Sequence, residues 1–289
     1  MTKQSLFFKE RLSRSAWGNF FLIIFLILAG LIMILPFVYV VSTALKPANE
    51  LWRFPPLFFV RNPTLKNFTD LFEVMSDSWV PFSRYVFNTV LVTVLGAGGN
   101  IILGSMCAYP IAKYKFPLSR GYFALVQTSL LFAGSVTAIP RFMVISKLGL
   151  LDTYWSLIIP ACGASLGLFI MKQFMEQMVN ISILESAEVD GASELCKFFK
   201  IVMPMVKPAW LTLMILTIQS LWSTGQTPFI YSEELKTLNY ALSQIQSAGV
   251  ARMGVGGAAT ILVISVPLVT FIFSQSSIIE TFSTSGMKE

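Results

Sequence analysis

An all-α polytopic membrane protein, a bundle of six membrane-crossing helices, is the fold class this sequence predicts. Three observations carry that prediction. Hydrophobic residues make up 55% of the 289 and charged residues only 12%, against roughly 25% charged in an average soluble domain. The mean hydropathy of +0.69 leaves too little polar surface for a protein that must face water on all sides. The apolar residues also gather into six charge-free runs, each near the roughly 20 residues that a helix needs to cross hydrocarbon.

The first run covers residues 17–44 and is interrupted only by Pro36. It is too long for a cleaved signal and lacks a small-residue cleavage site before Lys46. The others cover 85–109, 121–140, 154–171, 208–231 and 258–279. A span in lipid must satisfy its own backbone hydrogen bonds, so each run reads as a helix. The whole of 1–289 reads as one transmembrane domain. The segment from Lys46 to Arg84, with Pro55-Pro56 and Asn62-Pro63, predicts an ordered external cap with little regular structure.

Lys and Arg beside the spans set orientation. The tail before the first run carries Lys3, Lys9, Arg11 and Arg14, and the same side receives Lys113, Lys115, Arg120, Lys172, Lys197, Lys200, Lys207 and Lys288. Both termini are therefore expected in the cytoplasm. The net charge of +6 is accounted for by these flanks, and nucleic acid is not an expected partner.

Several chemistries are excluded. There is no histidine, so no Ser-His-Asp triad and no His-rich zinc site can form. Cys107, Cys162 and Cys196 are scattered without a Cys-x-x-Cys pair and give no disulfide framework. No metal ligands and no catalytic residues are expected.

The cytoplasmic stretch 172–207 is different in kind. It holds Glu176, Glu185, Glu188, Asp190 and Glu194. Asp190-Gly191 is a turn signal, because glycine accepts positive φ. Ala192, Leu195, Phe199 and Val202 recur at helical spacing and predict one apolar face. Pro204 and Pro208 return the chain to the membrane. A helix-turn-helix elbow results.

At these residues the sequence resembles a family. Glu185-Ser186-Ala187, three residues, Gly191, nine residues and Ile201-Val202-Met203-Pro204 match the Glu-Ala-Ala…Gly…Ile-x-Leu-Pro pattern of permease subunits of bacterial type I ABC importers, the binding-protein-dependent inner membrane components. Ser186 and Met203 depart from it, and the spacing is intact. The stretches Lys147–Pro160 and Phe37–Lys46 resemble the carbohydrate importers. The tail Phe282–Glu289 resembles that of the smaller six-span permease of maltose-type systems.

The resemblance implies a MetI-like fold in the bacterial cytoplasmic membrane. It implies that Glu185, Ser186, Ala187, Asp190, Gly191, Ile201 and Pro204 form the coupling contact with a cytoplasmic ATPase. Gly286, Met287 and Lys288 would touch the ATPases through the tail. The implied partners are a second, non-identical permease, two ATPase subunits and an external solute-binding protein.

Two motif matches are rejected. Gly163-Ala-Ser165-Leu-Gly167 fits a nucleophile elbow, which needs a histidine and a strand; small residues four apart in a span, here and at Gly96, Asn100 and Gly104, read instead as close helix approach. Gly254-Val-Gly256-Gly-Ala-Ala259 fits a dinucleotide fingerprint but lacks its βαβ setting. No Gly-Lys-Ser/Thr phosphate loop occurs. No cofactor is expected in this chain; ATP and Mg belong to the partner ATPase.

A solute pathway needs hydrogen-bonding groups and flat apolar faces. The fifth run offers Gln219, Ser223 and Gln226 at helical spacing with Trp222 beside them, a stripe that serves either solute contact or packing between helices. Asn88 and Gln127 are lesser candidates. The function expected is the permease subunit of an ATP-driven importer for a sugar or oligosaccharide. The alternative is a carrier or channel working without an ATPase, which has no need of the elbow.

Overall fold

The computed structural model describes residues 16–76, 79–225, 227–247 and 252–285. Its main elements are all helical: α1 (Ala16–Leu45), α2 (Ala48–Leu51), α3 (Lys66–Ser76), α4 (Phe82–Lys113), α5 (Ser119–Ser129), α6 (Gly134–Lys147), α7 (Trp155–Cys162), α8 (Ser165–Met178), α9 (Ile181–Val189), α10 (Glu194–Met205), α11 (Lys207–Trp222), α12 (Leu238–Ser247) and α13 (Met253–Ser285). Among the described residues, four helices are long and apolar enough to cross a membrane. The number rises to six when each of two bent pairs is taken as one crossing.

The long α4 is the centre of the bundle. It packs against α7, α8 and α11, while α13 collects α1, α3, α11 and α12. One apolar cluster fills the elbow end, where Met171, Met175, Phe198, Val202 and Val206 meet Ala108 and Tyr109. Two more fill the loop end, around Leu71, Trp222 and Leu242 and around Val92, Leu157 and Phe229. Helix α1 is the outlier: from Phe20 to Leu35 its large apolar side chains are exposed.

The expected elements need three corrections. The third run is two helices, α5 and α6, bent by 111°; the break at 130–133 is apolar throughout (Leu-Leu-Phe-Ala), so hydropathy reads straight across it. The fifth helix ends at Trp222 and not near 231. Gly225 and Pro228 stop it, and the carbonyls of Ser223 and Thr224 are taken by Asn239 Nδ2 at 2.6 Å and Thr237 Oγ1 at 2.9 Å. The cap over 46–84 contains the 11-residue helix α3. It buries Asn67, Leu71 and Met75 four residues apart, and the polar member of that stripe hides it from an apolar pattern.

Side chain to backbone bonds stitch the loop end. Asn67 Nδ2 donates to the carbonyls of Ala44 and Lys46, both at 2.8 Å. The buried Glu50 accepts from the N–H groups of Arg61 and Asn62 at 3.0 Å. Asn88, fully buried, donates to the carbonyls of Glu234 and Lys236 at 2.7 and 2.9 Å and accepts from Tyr154 Oη at 2.7 Å. Asp152 accepts from the N–H groups of Tyr231 and Ser232 and from the Ser232 hydroxyl.

Candidate functional site

The elbow is built from two caps and a reversed turn. Asn180 opens α9 by accepting from the Ser182 N–H at 3.2 Å. The helix closes with the Gly191 N–H on the Glu188 carbonyl and the Ala192 N–H on the Ala187 carbonyl, both at 2.9 Å. This paired closure is the Schellman turn, and its left-handed residue is Gly191 at φ +77°. A Cβ there would meet nothing within 4 Å. The glycine is required for its backbone angle and not for space. Ser193 then caps α10 by accepting from the Cys196 N–H at 3.4 Å.

Within α10, residues Lys197–Val202 form a π-helical turn. Bonding from i to i+5 widens the turn, so the inward positions fall at Phe198, Val202 and Val206, all buried. The expected face of Ala192, Leu195, Phe199 and Val202 is therefore displaced: Val202 points inward, whereas Leu195 and Phe199 are 62% and 52% exposed. In α9 only Leu184 is buried, and Val189 is 89% exposed. Glu185, Ser186 and Asp190 are exposed, Ala187 and Ile201 half-buried, and Pro204 exposed. Gly286, Met287 and Lys288 lie outside the described residues.

Sequence reading treats Lys197 as one more flanking charge, and this is wrong. Its side chain is 1% exposed and pairs with Glu188 at 3.1 Å and Glu194 at 2.5 Å. Glu194 also accepts from Tyr114 Oη at 2.8 Å and Tyr109 Oη at 3.3 Å. One ammonium thus joins the last turn of α9 to α10 and, through the two tyrosines, to the end of α4. The spacing of Glu194 and Lys197, three apart on a helix, is the one signal the sequence offers.

Above the elbow lies a partly polar cavity of about 320 Å³ between α4, α6, α7 and α11. Asn100, Ser156, Thr217, Ser220, Thr224 and Thr227 supply its hydrogen-bonding groups. Asn100 is 2% exposed and donates to Thr217 Oγ1 at 3.0 Å. Its Oδ1 has no hydrogen-bond partner and sits over Gly167, where a Cβ would come within 2.2 Å. Gly104 crosses the same spot, its notional Cβ 3.3 Å from the Gly167 carbonyl carbon. Close approach of α4 and α8 is thus real at Gly104 and Gly167. Gly163 meets only the Ile159 carbonyl oxygen of its own turn, at 3.8 Å.

The expected pathway stripe is brought together only in part. Trp222 is buried and donates Nε1 to the Val263 carbonyl at 3.0 Å, which makes it packing between α11 and α13. Gln219 and Ser223 line a separate cavity of about 380 Å³ against α13 and Phe37. Gln226 lies outside the described residues. Asn88 is a structural staple, and Gln127 is exposed on α5 away from either cavity. Asn100 was read only as part of a close helix approach, and the hydroxyls around it went unread because single Ser and Thr residues leave no mark in a hydropathy profile.

Residues 100–281 match the sequence profile of the binding-protein-dependent transport system inner membrane component. The chain belongs to that family. The matched span takes in the polar cavity and the entire elbow. Among relatives of this inner membrane component, a polygalacturonan/rhamnogalacturonan transport system permease protein of Bacillus subtilis is 32% identical over 207 residues, covering 72% of this chain and 70% of the relative. An arabinooligosaccharides transport system permease protein of Halalkalibacterium halodurans is 26% identical over 261 residues, covering 89% and 92%. In fold, the component is similar to a chain in the crystal structure of a bacterial ABC transporter involved in the import of the acidic polysaccharide alginate. That match has a TM-score of 0.77 at 20% identity and covers 92% of this chain and 99% of the other.

Proposed function

We propose that this inner membrane component is the permease half of an ATP-driven importer for a sugar or oligosaccharide, with the elbow as its contact for a cytoplasmic ATPase. Relatives named for polygalacturonan/rhamnogalacturonan and for arabinooligosaccharides support the solute class. The elbow supports the coupling role. It ends in a fixed turn and presents Ile181, Val189, Leu195 and Phe199 to the outside beside the exposed Glu185. A connector serving only its own bundle would bury such residues, and apolar groups clustered in the open mark a surface for a partner.

In this reading the chain crosses the bacterial cytoplasmic membrane six times with both termini in the cytoplasm. It pairs with a second, non-identical permease, two ATPase subunits that hold ATP and Mg, and an external binding protein. ATP-driven closure of the ATPases pushes on 185–191, and the bundle alternates the side to which its cavity opens. Moving such an equilibrium from one state to the other takes about 5 kcal/mol of differential binding, which ATP and loaded binding protein together supply.

Gly191→Val tests the coupling role. A β-branched residue at positive φ costs about 1–3 kcal/mol, borne by the turn alone because the site is open. The expected outcome is loss of ATPase in a pull-down, with the melting midpoint of the bundle unchanged. Full ATPase capture and full stimulation of hydrolysis by loaded binding protein in this variant would reduce the elbow to an ordinary loop.

A further inference from the structure

We infer that Arg141 makes the polar cavity selective for carboxylated sugars, the oligosaccharides of uronic acids; the inference rests on the importer reading and narrows its solute. Arg141 lies on α6, is exposed, and lines the cavity together with hydroxyls of α11. Its neighbours hold it there: Phe142 stacks on Phe229 with ring centroids 6.3 Å apart, and Ile145 is buried. Among the described residues the guanidinium has no hydrogen bond and no ion pair. It is also the only ionisable group among the residues lining the cavity. No acid on the cavity wall neutralises it.

An exposed cation with no partner among the described residues, on the wall of a mainly apolar cavity that also carries hydroxyls, selects for the anion that it lacks. The guanidinium fork matches a carboxylate through two parallel N–H···O bonds. The attraction is stronger beside low-dielectric helices than in bulk water. Ser220, Thr224 and Thr227, less buried than Asn100 and Thr217, place hydroxyls for a sugar on the same cavity lining. A neutral sugar would leave the arginine unpaired. The plainer account is an arginine that reaches for lipid phosphates at the membrane edge. Lys147, the other cation of α6, fits that account, since it does not line the cavity.

The test uses the complete importer reconstituted in vesicles with its binding protein, and compares uptake of trigalacturonate with that of its methyl ester. Arg141→Gln is expected to lower uptake of the acid about tenfold, the loss of one charged hydrogen-bonded pair, and to leave the ester nearly unchanged. Arg141→Lys is expected to restore part of the loss. The series is run in phosphatidylcholine alone and with added phosphatidylglycerol. Equal losses for acid and ester, no loss for either, a loss confined to vesicles with phosphatidylglycerol, or a wild type that carries the ester but not the acid each overturn the inference while leaving the importer reading intact. A wild type that carries neither carbohydrate overturns the inference, and one that carries no neutral oligosaccharide either overturns the importer reading as well.

Discussion

The two ends of the bundle are held by different means. At the loop end, buried Asn67, Asn88 and Glu50 each satisfy two or more groups on distant segments. Nearly all the polar chemistry there closes within the chain. At the elbow end, two carboxylates pair with one ammonium and two tyrosines donate to one of them, while large apolar side chains stand in solvent. A structure that spends its hydrogen bonds on one end and leaves apolar surface unmet at the other is stiff at the first and waits on a partner at the second.

The largest expected effect is at the loop end. Asn88→Leu removes the side-chain partner of the Lys236 carbonyl and of the Tyr154 hydroxyl, and leaves the Glu234 carbonyl only Arg84 Nε at 3.3 Å. At about 1–3 kcal/mol for each unsatisfied group, the bundle should lose about 2 kcal/mol or more, read as a clear fall in its melting midpoint in nanodiscs. An unchanged midpoint would erase the contrast between the ends.

The elbow should respond locally. Lys197→Met keeps the apolar stem and removes the charge from between Glu188 and Glu194, which are 71% and 58% exposed and can return to water. Amide exchange over 181–193 should quicken while the melting midpoint stays put. Global unfolding in this variant would mean that the elbow is as integral as the loop end.

The smallest effect is a matter of pH. The Ser232 hydroxyl, then the Ser232 and Tyr231 N–H groups, hold the Asp152 carboxyl below its ordinary value of 3.8 against some desolvation. A carboxyl with a depressed folded pKa stabilises above its unfolded value, and the benefit fades as pH falls through the folded one. Wild type should therefore exceed Asp152→Asn in stability at neutral pH, with the gap closing below the ordinary value. A gap that widens in acid would show that the carboxylate strains this corner.

How much of this was legible follows from what each signal measures. Hydropathy locates α1, α4 and α13 because their apolar stretches coincide with unbroken helices. It cannot see the bend at 130–133, where the break itself is apolar. Gly225 and Pro228 did announce the end of α11, but sit inside a long apolar run that outvotes them. The Asp190-Gly191 turn signal located the elbow, and Gly191 has the positive φ that it implies. The facing of α10 was misread because periodicity assumes 3.6 residues per turn and the π turn does not obey it. Beyond the Glu194–Lys197 spacing and the close approach at Asn100, the roles of Lys197, Asn100 and Arg141 could not be read: they depend on which segments meet, and only the folded chain says so.

Helix α1 carries a consequence for mutational tolerance. Packed within the chain mainly on α13, it has almost no inward face between Phe20 and Leu35. Exchanges among Leu, Ile, Phe and Val there alter nothing that this chain packs against, so they should pass silently as long as the stretch remains apolar enough to insert. Any position in that stretch that refuses such an exchange must be answering to a molecule outside the chain. A saturation scan of sixteen consecutive residues would then trace, at helical spacing, the footprint of a neighbour.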